Sequence, residues 1–179
     1  MSKFYLTEFG VVELAGEVLE TLNRHRQLES HSHEAGGQLF ARFENDRMRI
    51  LRATEPTLKS RRGRTYFWPS RRDEQREIES LYAEGFHYVG DWHSHPEPYP
   101  EPSSDDIEKI EGIYAKSKHD LNCIVMLIVG TSDEPEGIWV GSASKTGVHQ
   151  AERAETRPAD GGAGGRQHAG VLRFTAKHR

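Results

Sequence analysis

Between residues 11 and 28 the apolar positions Val11, Val12, Leu14, Ala15, Val18, Leu19 and Leu22 fall into the i, i+3, i+4, i+7 rhythm of one helix face. That rhythm predicts an amphipathic helix. The period then shortens. GGQLFARF (36–43) and RMRILRAT (47–54) read as strands, with Glu44-Asn45-Asp46 between them as turn chemistry, so they predict an antiparallel hairpin. Residues 55–69 form a basic loop ending in TYFWP, with room for a short strand. Ser70, three residues before Asp73, signals an N-cap. Ile78, Leu81 and Tyr82 give the helix that follows its apolar side, and Gly85 fits as its stop. HYVGDWHSH (87–95) reads as a strand running into a loop, where Pro96, Pro98, Pro100 and Pro102 forbid both helix and regular ladder. Ser103 or Ser104 caps a further helix with Ile107, Ile110 and Tyr114 on its inner side. LNCIVMLIV (121–129) has no polar alternation, as expected of a central strand buried on both faces. IWVGSA (138–143) is another strand after a turn at 131–137. Hairpins interleaved with helices predict an α+β (α/β/α-like) domain, a mixed β-sheet flanked by helices.

Composition narrows the function classes. The net charge of −4 gives no global reason to expect a nucleic-acid binder. The charge is uneven: residues 145–179 are net basic and the rest net acidic, and the basic end contains ADGGAGG (159–165), whose glycines resist order. We place a domain at 1–150 and a flexible C-terminal tail at 151–179, in which VLRF (171–174) is the one apolar piece able to dock as a late strand. The single cysteine, Cys123, excludes an intrachain disulfide and fits a reducing compartment. MSKFYLTEFG lacks the apolar run of a secretory signal, and CIVMLIV (123–129) is too short to span a bilayer. These features predict a cytoplasmic protein with no membrane partner.

The chemistry concentrates in two copies of HSH, at 31–33 and 93–95. His93 and His95, two apart on a strand, share a face and can converge on one ion. Asp106, in the first turn of the helix capped near Ser103, can supply a third ligand across a loop stiffened by four prolines. A helix N-terminus favours its charged form. Three ligands and an open position describe a catalytic rather than a structural zinc site. Taken singly, these residues read more blandly: a lone His-x-His is often two partly buried polar groups, and an acid at a helix start needs no function. Their order and spacing carry the reading. At the matching distance after His33 stands Glu44, inside the predicted turn, and the importance of His31 and His33 is that Glu34 follows them.

His93-Ser94-His95-Pro96, six residues, Ser103, two residues and Asp106 together resemble the signature of the JAMM (JAB/MPN-type) zinc metalloproteases. Glu34-Ala35-Gly36-Gly37-Gln38-Leu39-Phe40 resembles the segment carrying that family's upstream glutamate, and the likeness covers about residues 30–143. It implies a JAB/MPN-type, cytidine-deaminase-like fold and zinc as cofactor. His93, His95 and Asp106 would hold the metal, Glu34 would act as general base and Ser103 would donate to the oxyanion. Among family members the chain is most similar to stand-alone bacterial forms, in particular the deconjugating peptidases of CBASS anti-phage operons. That likeness implies an isopeptidase cutting after the flexible C-terminal tail of a ubiquitin-like or cGAS-like nucleotidyltransferase protein. Two alternatives stand beside it: trimming of a sulfur-carrier protein or small peptide conjugate, and a non-enzymatic role like that of the DNA-repair-associated branch. The last has one local support, the cations Lys59, Arg61, Arg62, Arg64, Arg71 and Arg72, which equally read as a solvated loop or a dock for acidic groups. Trp92 is expected to pack under the sheet, Cys123 to be inert core, and Asp91 either to orient an imidazole or to face solvent.

Overall fold

A computed structural model describes residues 1–44 and 47–158. In chain order the elements are β1 (Lys3–Thr7), β2 (Gly10–Leu14), α1 (Gly16–Arg24), β3 (Gly36–Glu44), β4 (Arg47–Ala53), β5 (Arg61–Arg62), β6 (Phe67–Trp68), α2 (Arg71–Ala83), β7 (His87–Ser94), α3 (Ser104–Lys116), β8 (Ile124–Val129), β9 (Ile138–Ser144), β10 (Gly147–Gln150) and β11 (Glu152–Ala154). Nine strands form one mixed sheet in the order β10-β9-β8-β7-β3-β4-β2-β1-β11, and β5 with β6 makes a separate small hairpin. The architecture is therefore α+β, as the mixture of periods predicts.

β8 explains why its sequence shows no alternation. Val125, Leu127 and Val129 join the cluster that contains α1 through Val18, Leu19 and Leu22. Ile124, Met126 and Ile128 face the other way, onto Ile110 of α3 and Trp139. Both faces are covered, so every position is apolar. Each such side chain, fully buried, contributes roughly 1.5–3 kcal/mol. Trp92 and Cys123 lie in the α1-side core, as expected, and the Trp92 indole N–H donates to the Thr54 carbonyl at 2.9 Å.

Three expectations change. Residues 11–14 are strand, not helix: β2 pairs antiparallel with β1 and parallel with β4, and α1 begins only at Gly16. The rhythm misleads because Val12 and Leu14 of β2 feed the same core as Val18 and Leu22 of α1. Secondly, no residue of α2 is buried: Ile78 and Leu81 are half-covered and Tyr82 is exposed, beside an open groove shared with His87, Tyr88 and residues 117–121. Its stop is as expected. Gly85 has φ of +83° and its N–H, with that of Phe86, closes the last turn onto Tyr82 and Leu81.

Thirdly, the chain goes on pairing after residue 150. β11 lies antiparallel to β1, at the far edge of the sheet from β10, although only Ala151 separates the two strands. The Ala151 N–H donates to Val140 at 2.9 Å, and Ser144 and Thr146 hydroxyls donate to Glu8. The sheet thus curls until its two ends meet, which leaves few open edges. The turn residues 45–46, ADGGAGG and VLRF lie outside the described residues.

Candidate metal centre

β7 carries the site because of a local irregularity. Its pairing with β3 shifts register between Leu39 and Phe40, opposite Gly90, whose φ is +153°. A Cβ at Gly90 would lie 1.8 Å from the Val125 carbonyl oxygen, so only glycine fits. The extra residue sends Val89 and Trp92 to the α1 side, while Tyr88 packs on the α3 side. Asp91 and His93, alternating with Trp92, border a small cavity with Asp106, Ile110 and Met126 on that α3 side.

His95 follows β7, its N–H bonded to the Val129 carbonyl at 2.9 Å. Asp106 arrives from α3, where Ser103 and Asp106 form a full capping box. The box also aims the carboxylate. Oδ2 accepts from the Ser103 N–H at 2.8 Å and the Ser103 hydroxyl at 2.6 Å. Oδ1 is left 3.1 Å from His93 Nε2, and Oδ2 is 3.4 Å from His95 Nε2. The two Nε2 atoms are 3.1 Å apart. A tetrahedral ion with ligands at about 2.0–2.1 Å requires edges of about 3.3 Å between donors. The separations of 3.1, 3.1 and 3.4 Å, the last two reaching different oxygens of the Asp106 carboxylate, bring the three side chains to the spacing such an ion needs, with one ligand atom from each within 4.8 Å of the others. Among the described residues this is the one group of three or more His, Cys, Asp or Glu side chains able to hold a metal.

The protonation tendencies of His93 and Asp106 suit ligation, whereas His95 must give up a proton to ligate. Burial pushes the His93 imidazole below its ordinary pKa and so keeps it neutral, the ligating form. Burial acts the same way on His95, but Asp106 and Glu97 outweigh it and raise that imidazole. Burial alone would raise the Asp106 carboxyl, yet the bonds from His93, His95 and Ser103 hold it well below the usual carboxylate range.

Glu34 is buried and lines the same cleft of about 380 Å³ as His93, His95, Ser103 and Asp106. Burial raises its carboxyl from 4.5 to about 7, with His95 opposing and Asp106 adding to the rise. A chain of bonds fixes this segment. Ala35 N–H donates to Ser94 Oγ at 2.9 Å, and Ser94 N–H to the Ala35 carbonyl at 2.8 Å. Ser94 Oγ donates on to Gln27 Oε1 at 3.1 Å, while Gln27 Nε2 donates to the Ser32 and Arg64 carbonyls. Ser94, the residue between the two histidines, therefore ties the Glu34 segment to the histidine strand. Gly36 and Gly37 allow the close approach: a Cβ at Gly37 would sit 2.1 Å from the Thr54 carbonyl oxygen and 2.8 Å from Trp92 Nε1.

The basic loop turns out to strap this segment down. Arg62 donates to the Glu34 and His33 carbonyls at 2.7 and 3.3 Å, Arg64 to the Ser30 carbonyl at 2.8 Å, and Glu34 N–H to the Gly63 carbonyl at 2.7 Å. Lys59 pairs with Asp73 and Arg71 with Glu74. Four of the six cations are thus engaged within the protein. The β5–β6 hairpin then sets Tyr66, Phe67 and Trp68 along the cleft wall. Gln27 and this aromatic wall give no local signal in the sequence, because their partners lie tens of residues away. His31 and His33 are exposed and outside the metal-binding group. Asp91 is buried and accepts from the Tyr88 hydroxyl at 3.0 Å.

Residues 17–141 match the family described as prokaryotic homologs of the JAB domain. The chain belongs to that family. It is 32% identical over 146 residues to an Escherichia coli protein named CD-NTase/cGAS isopeptidase, covering 79% of this chain and 88% of that one. An Enterobacter hormaechei protein of the same name is 36% identical over 121 residues, 65% of each chain. A third, from Pseudomonas aeruginosa, is 30% identical over 123 residues, 67% of this chain and 77% of that one. The solution structure of a Desulfitobacterium hafniense protein superposes with a TM-score of 0.56 at 21% identity, over 78% of this chain and 88% of that one, and so shares the fold. Among the described residues no helix is long and apolar enough to cross a membrane.

Proposed function

We propose that the chain is a zinc-dependent isopeptidase of the JAMM type. Its substrate would be the amide joining the flexible C-terminal tail of a cGAS-like nucleotidyltransferase, or of a ubiquitin-like protein, to a target amine, in a bacterial CBASS system. The observation that carries this reading is the donor triangle of His93, His95 and Asp106 opening onto a cleft shared with Glu34. The names of the curated relatives support the substrate class.

Zinc held by the three side chains would supply Lewis acidity, lowering the pKa of water at the open position to about 7 and polarising the scissile carbonyl. The protein's own groups then manage protons and charge. Glu34, with a carboxyl near 7, is available as a base at neutral pH. It accepts one proton as the water oxygen bonds to the carbonyl carbon. It returns that proton to the nitrogen as the C–N bond breaks, and the second proton of the water passes from the new carboxylic acid to the amine, so that a carboxylate and an ammonium leave. Ser103 would donate to the developing oxyanion, its hydroxyl turning away from Asp106 Oδ2 to do so. The β5–β6 hairpin offers a rail along which an extended tail can lie.

The test is cleavage of a purified conjugate between a cGAS-like nucleotidyltransferase and an acceptor protein. The zinc-loaded chain should cut it, and a chelator should stop the reaction. Glu34→Ala and Asp106→Ala should be inactive while keeping the parental circular dichroism. Parental-rate cleavage by Glu34→Ala would end the reading.

A further inference from the structure

The cleft has an uneven supply of charge. Its floor and one wall are acidic or ligating: Glu34, Asp105, Asp106 and the two histidines. Two cations reach it, Arg71 and Lys109. Arg71 is taken by Glu74 at 3.2 Å. Lys109 forms no hydrogen bond and no ion pair with any described residue. It lies one turn beyond Asp106 on α3, half-buried, and also borders the small cavity behind His93 with Asp91 and Ile110. Its field reaches Glu34 and His93. An ammonium at the mouth of such a cleft, without an anion of its own, is free to take one that a ligand brings.

We propose that Lys109 is a specificity-determining residue that binds a carboxylate side chain carried by the substrate beside the scissile amide. The inference rests on the isopeptidase reading and extends it to the chemistry of the substrate. The acidic remainder of the cleft makes the position selective. A substrate carboxylate is repelled by Glu34 and by Asp105, and finds at Lys109 the one cationic side chain of the cleft that is not already in an ion pair, so a single register of the peptide is favoured. Tyr66 and Trp68, exposed and with their rings 5.2 Å apart at a tilt of 45°, offer an apolar rest for the same chain.

The test uses internally quenched isopeptides in pairs that differ by Glu or Gln, on either side of the scissile amide. Binding is measured by fluorescence anisotropy on the full chain in chelator, and cleavage separately with zinc. The intact chain should bind the Glu member of one pair about tenfold more tightly, a difference of about 1.4 kcal/mol. The preference should fade as salt rises to about 1 M. Lys109→Met should erase it with Gln-peptide binding within about twofold of the parent, and Lys109→Glu should reverse it. Equal binding of both members by the intact chain, or an undiminished preference in Lys109→Met, would overturn the proposal. Discrimination in binding without any cleavage in zinc would leave Lys109 as assigned and remove the isopeptidase reading instead.

Discussion

Replacing Glu34 by glutamine removes one ionisation and keeps the side chain's shape, which makes it a clean probe of the cleft. In the metal-free protein burial lifts this carboxyl from 4.5 to about 7. A raised carboxyl is harder to ionise in the folded chain than in the unfolded one. The stability linked to it is complete below the unfolded value and is lost as pH rises from 4.5 through about 7. At roughly 1.4 kcal/mol per pH unit the gap between those values sets a ceiling of about 3 kcal/mol. Glu34 opens on a solvent-filled cleft, so screening brings the expected figure nearer 2 kcal/mol. The amide of the variant does not titrate and carries no such dependence. Urea unfolding of chelator-treated parent and Glu34→Gln from about pH 4.5 to about pH 8 reads the difference directly. His95 and Asp106 titrate in both proteins and largely cancel. The variant should gain about 2 kcal/mol on the parent across that range while losing amide hydrolysis. A stability gap that stays constant with pH would show that Glu34 is not desolvated, and the argument for a base poised near neutrality would go with it.

The other predictions concern what surrounds that carboxyl. Zinc at about a hundred times its Kd should stabilise the chain by about 2.7 kcal/mol, raising Tm by roughly 5–10 °C in calorimetry, and Asp106→Asn should abolish most of the rise. Ser94→Ala leaves the Ala35 N–H and Gln27 Oε1 without their partner. It should cost about 1–3 kcal/mol in denaturant and lower kcat more than it raises KM, since it loosens Glu34 rather than the substrate. Gly37→Ala, which forces a Cβ to 2.1 Å from the Thr54 oxygen, should cost more than about 2 kcal/mol. Gly112→Ala, on α3 with nothing within 4 Å of the added Cβ, should instead stabilise by about 1 kcal/mol. If the two glycines respond alike, close approach is not what keeps Gly37 small.

What can be read from the sequence follows how far apart the interacting residues lie. His93 and His95 are two positions apart on one strand, and Ser103 and Asp106 share one capping box, so both halves of the donor triangle are local patterns. β8 is legible because double-sided burial leaves an unbroken apolar run. Residues 11–14 are not. β2 is buried at Val11, Val12, Glu13 and Leu14 alike, so it shows no alternation, and its apolar side chains run on into those of α1 as though one helix held them all. Glu34 reaches the site through family resemblance alone, because what brings it there is the pairing of β3 with the distant β7, Gly36 opposite His93. The loop 59–72 misleads for the same reason. A run of cations looks like a surface awaiting a partner until the carbonyls of Ser30, His33 and Glu34 are seen to be that partner. Local chemistry thus discloses the candidate metal ligands, whereas the devices that fix the Glu34 segment beside them, Gln27, Ser94 and Arg62, exist only once distant segments have met. Lys109 follows from the same logic: it stands out only after the other cation in the cleft, Arg71, has been assigned its anion.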